Sequence, residues 1–136
     1  MYITAEHLRE QVIRPTLKYL GEWSSEAERQ LLTDALRSCE LRGTQRSRDG
    51  LGLFGISSVE HRDLWDRFLA FRPDLASRVR GLASQRAFLS DPDLELQTNL
   101  SYCVAIAWMM KLRQREQDDW QSIAPAMAPL AAVAHA

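Results

Sequence analysis

The run Tyr102-Cys103-Val104-Ala105-Ile106-Ala107-Trp108-Met109-Met110 constrains this chain more than any other stretch. It is apolar on every side at helical spacing, so it belongs where other elements wrap it completely. At nine residues it is too short to span a bilayer. Upstream, Asp91-Pro92-Asp93 pairs a capping aspartate with a proline suited to the first helical position. The pattern predicts one buried central helix from about 92 to 115.

The rest of the sequence reads as material to surround that helix. Thr4 can cap a first helix carrying Leu8, Val12 and Ile13, which Pro15 should bend or break and Gly21 should end. Ser25 with Glu28 has the spacing of a capping box, and Leu31, Leu32, Ala35, Leu36 and Cys39 continue as a helical stripe. Arg42 to Gly52 is glycine-rich and polar, hence a loop, with a small hairpin possible between Thr44 and Ile56. Ser57 with Glu60 opens another helix, which carries Val59, Leu64, Trp65, Phe68 and Leu69. Short helices follow from Pro73 to about Gly81 and from Leu82 to Leu89. The fold class is all-α. Residues 1–117 form one helical domain, and the Ala/Pro-rich segment 118–136 reads as a loosely packed tail.

Composition narrows the function. The 136 residues are 46% hydrophobic and 26% charged, ordinary for a domain that folds on its own core. Cys39 and Cys103 both sit in apolar helical patterns, where a free buried thiol is the expected state. His7, His61 and His135 are scattered, with no Cys/His ligand spacing, so no metal or cofactor is expected; His61 reads as a surface residue in a first helical turn. Trp23, Trp65 and Trp108 read as core anchors, whereas Trp120, beside Asp118-Asp119, is the one to face a partner. Residues 42–86 hold nine arginines against five acids, a net of +4, within a chain of net charge -1. No basic run is dense enough for a nucleic-acid arm, so nucleic acid is not an expected partner. The start lacks a basic, then apolar, leader, which fits a protein that stays in the cytosol.

The chemistry-bearing strip is Ala35-Leu36-Arg37-Ser38-Cys39-Glu40, followed by Gly52-Leu53-Phe54-Gly55-Ile56. Further on come Glu60-His61-Arg62-Asp63-Leu64-Trp65-Asp66, Phe71-Arg72-Pro73-Asp74-Leu75-Ala76 and Leu82-Ala83-Ser84-Gln85-Arg86. Asp91-Pro92-Asp93-Leu94-Glu95-Leu96 and Thr98-Asn99-Leu100-Ser101-Tyr102 complete the set. Together these resemble a group of phage-encoded proteins of the lysozyme-like, lytic-transglycosylase superfamily, from about Leu8 to Leu112. The resemblance implies a helix ending in a glutamate general acid and a Gly-x-Tyr/Phe-Gln turn that holds the sugar.

This chain departs from that pattern at both points. Ungapped, the glutamate position falls near Cys39; a short shift puts Glu40 there, with Leu41 where serine is usual. Gly55 stands at the glutamine position and can make no side-chain contact. Ser57-Ser58 replaces the usual Glu-Pro. The expectation is a non-catalytic shell that binds a host protein or protein complex in the cytoplasm of the bacterial host, for example as an anti-CRISPR-like inhibitor of defence. Arg42, Arg46 and Arg48 on the glycine-rich loop, with Phe54 and Trp120, are the expected binding residues. The alternative is a peptidoglycan lytic transglycosylase with Glu40 as its single acid. A third option is a virion-structural module on the same fold.

Overall fold

The computed structural model describes the backbone of residues 4–44 and 50–134, with side chains except those of 40–44, 85–87 and 126–134. Among the described residues, eight α-helices and a two-stranded hairpin follow in order: α1 Ala5–His7, α2 Arg14–Leu20, α3 Ser25–Thr44, β1 Gly50–Leu51, β2 Ile56–Ser57, α4 Ser58–Arg67, α5 Pro73–Leu82, α6 Gln85–Ser90, α7 Pro92–Thr98 and α8 Leu100–Ala134. The all-α class is as expected. From Tyr102 to Met109 no residue of α8 is more than 8% exposed, so the apolar run is wrapped on all sides. No helix among the described residues is long and apolar enough to cross a membrane.

The central helix differs from expectation at both ends. The helix opened by Pro92 stops at Thr98, and Asn99 is extended at φ -118° and ψ 100°. Asn99 closes one helix and starts the next. Its N–H donates to the Glu95 carbonyl at 3.0 Å, while its Oδ1 accepts the Tyr102 N–H at 3.0 Å. Its Nδ2 donates to the Leu82 carbonyl at 2.8 Å and to Glu95 Oε2 at 2.9 Å. At the far end, α8 continues well past Arg115 to Ala134, so Pro125 and Pro129 do not interrupt its backbone. The described side chains from Gln117 to Ile123 are exposed.

Pro15 does not break the first helix. The six residues Leu8–Ile13 widen into a π turn, in which the Arg14 N–H reaches back to the Arg9 carbonyl. A π turn next to proline lets the helix absorb the missing donor. Gly21 then ends α2 at φ 76°, with Glu22 N–H on the Leu17 carbonyl, a left-handed cap that suits glycine. The start of α3 is one residue earlier than the box Ser25–Glu28 suggests. Ser24 Oγ accepts the Ala27 N–H at 3.0 Å, which frees Glu28 for Arg14 and Trp23.

The hairpin is pinned by glycine. Gly50 pairs with Ser57 and Leu51 with Ile56, antiparallel. Gly52 has φ 69°, and a Cβ there would stand 2.0 Å from the Leu96 carbonyl oxygen and 2.9 Å from Cys103 Sγ. Only glycine lets the turn press so closely on α7 and α8. That seating sets Phe54 beside α8.

Two cysteine and tryptophan expectations change. Cys103 is buried as expected, but Cys39 is exposed, and the two do not form a disulfide with each other. Trp23 is 43% exposed, with its indole N–H on the buried Glu28 and Lys18 over its ring, so it covers the Arg14–Glu28 ion pair rather than anchoring the apolar core.

Candidate functional site

Helix α8 carries Ala107, Met110, Gln114, Gln117 and Gln121 at alternating three- and four-residue spacing, one stripe along its face. Three cavities open along this stripe and share its residues. The first, about 280 Å³, lies between Phe54, Ile56, Asp34 and the Ala107–Gln114 part of α8. The second, about 200 Å³, takes Met110 and Gln114 from the first and adds Glu60 and Asp63 of α4. The third, about 650 Å³, shares Arg113 and Gln117 and ends at Arg67, Phe68 and Trp120. Through these shared residues they line up as one open groove along α8, walled by α3 and the hairpin at one end and by α4 over the rest. At 1.5 Å rise per residue, Ala107 to Gln121 spans roughly 21 Å.

Two of the expected binding residues thus mark its opposite ends. Phe54 is half-buried at the hairpin end, and Trp120 is 59% exposed at the other. Arg46 and Arg48 lie outside the described residues, as do the side chains of Glu40 and Arg42. The register of α3 adds a point the sequence reading missed. Position 38 follows Asp34 by one turn on the groove side, whereas position 40 falls about 40° from the half-exposed Leu36.

The groove carboxylates are engaged within the protein. Asp34 meets Lys111 Nζ at 2.6 Å. Asp63 takes Arg113 at 2.7 Å and Arg67 at 3.1 Å, and Glu116 takes Arg72 at 2.5 Å. Glu60 accepts the Ser57 hydroxyl at 3.0 Å, and Ser57 Oγ caps α4 through the Glu60 N–H, as the sequence predicted. None of these is a lone carboxyl in an apolar pocket, the setting that suits an acid for protonating a glycosidic oxygen.

A polar chain runs through the core on the other side of α4. Contrary to expectation, His61 is 1% exposed. It shares the stripe of Leu64, Trp65 and Phe68, at three, four and seven residues, a spacing that places it inward. Its Nδ1 lies 2.9 Å from Asp93 Oδ1 and its Nε2 lies 2.7 Å from the Tyr102 hydroxyl. Trp65 Nε1 donates to that hydroxyl at 2.9 Å, and the Ser58 hydroxyl donates to Asp93 Oδ2 at 2.6 Å. Burial pushes the Tyr102 phenol far above its ordinary range. Burial also pushes Asp93 upward, but hydrogen bonds from Ser58 and His61 outweigh it and leave the carboxyl below its usual range.

Asp93 faces a cavity of about 550 Å³ with Leu51, Val59, Asp91 and Gln97. Serine and histidine both bond Asp93 rather than each other, so Ser58 and His61 do not form a nucleophile–imidazole pair. Both ring nitrogens of His61 are occupied behind the cavity wall, where the ring clasps α4, α7 and α8 together. No group of His, Cys, Asp and Glu among the described residues could hold a metal ion.

No protein-family model, curated protein or solved structure matches the chain. The likeness to lysozyme-like proteins rests on the sequence motifs alone.

Proposed function

We propose that this chain is a non-catalytic phage protein, built on a lysozyme-like scaffold, that holds a host macromolecule along the groove on α8. Inhibition of a bacterial defence complex, in the manner of an anti-CRISPR, is the role this reading favours. The observation that carries it is the placement of Phe54 and Trp120 at the two ends of one open groove. Large aromatic side chains left partly exposed at a surface are the usual anchors of protein interfaces. The pairing of Asp34, Asp63 and Glu116 with bases supports the same reading, because it leaves these acids occupied. Gly55, at the position expected to grip a sugar, offers no side chain for it.

The test has two arms. Purified protein added to purified peptidoglycan is expected to cause no fall in turbidity. Lysis that disappears in Glu40→Gln overturns the proposal in favour of a peptidoglycan transglycosylase. Expression of the chain in defence-positive bacteria is expected to raise phage plaquing, and Trp120→Ala is expected to abolish the rise. Unchanged plaquing overturns the defence role.

A further inference from the structure

No further inference is drawn: the strongest candidate, the cavity of about 550 Å³ between the first turns of α4 and α7, rests on the acidic pair Asp91 and Asp93, and nothing else among the described residues there points to a ligand.

Discussion

The hydroxyl of Tyr102 stands 2.7 Å from His61 Nε2, between that ring and the indole N–H of Trp65. With the ring hydrogen on Nδ1, donors and acceptors run in one direction: Trp65 to Tyr102, Tyr102 to His61, His61 to Asp93. Each member is satisfied only through its neighbour, so the chain is stabilising only when intact. Tyr102→Phe is expected to lower stability by about 2 kcal/mol, because it strands His61 Nε2 and Trp65 Nε1 together. His61→Leu removes the link between α4 and Asp93 and is expected to cost at least as much. Urea unfolding followed by circular dichroism measures both. A loss under about 0.5 kcal/mol for Tyr102→Phe would show the contacts to be dispensable.

Acid should weaken the fold through two carboxyls. The Arg14 guanidinium, with help from the Trp23 indole, holds Glu28 below its usual range against the opposing effect of burial. Asp93 is likewise held low. Each binds its proton more readily unfolded than folded. Their stabilisation is therefore present above roughly pH 4 and is lost as pH falls through the depressed folded values. The melting temperature is expected to drop steeply between pH 5 and pH 2.5. Glu28→Gln should melt lower at pH 7 and show a smaller drop with acid. An unchanged acid slope in that variant would remove Glu28 from the account.

Signals written into adjacent residues were the legible ones. Thr4, Gly21 and Ser57 do at their helix ends what their local chemistry predicts, because a cap needs only the next three or four residues. The apolar run of α8 likewise announced its own burial. What the sequence hid depends on distant partners. Asn99 reads as one more helical residue until Leu82 and Glu95 are beside it to take its side-chain amide. Glu28 reads as half of a capping box until Arg14, fourteen positions earlier, claims its carboxylate. The groove was legible only as two isolated aromatics, Phe54 and Trp120. Most of its wall is α4 laid beside α8, a relation that no local pattern encodes.

The seat of the hairpin is expected to be the least tolerant glycine position. At Gly52 a methyl group would enter the Leu96 carbonyl at 2.0 Å, and φ is already 69°. Backbone, not a flexible side chain, must move, and the displaced turn carries Phe54 with it. Gly52→Ala is expected to cost about 3 kcal/mol, combining left-handed strain with overpacking. Gly21→Ala offers the contrast. Its φ is 76°, but the nearest obstruction is the end of the Arg78 side chain at 3.1 Å, which can swing aside. That change is expected to cost only about 1 kcal/mol. Paired denaturation curves that rank Gly21→Ala as the more damaging would contradict the seating of the hairpin on α7.

Trp108 and Trp120 lie on the same helix and should answer to substitution in opposite ways. Trp108 is 2% exposed, with Arg115 stacked 4.9 Å from its ring centroid, and truncation there leaves a large void. Trp108→Ala is expected to cost about 4 kcal/mol and to disturb the whole domain. Trp120 is 59% exposed at the open end of the groove, so Trp120→Ala should change stability by less than about 0.5 kcal/mol. Any loss of partner capture in that variant then reports contact rather than unfolding. Thermal melts of the two variants, run beside a binding assay, separate the cases. A Trp120→Ala protein that melts several degrees lower would mean that the indole is held by the fold, and the groove would lose its outer anchor.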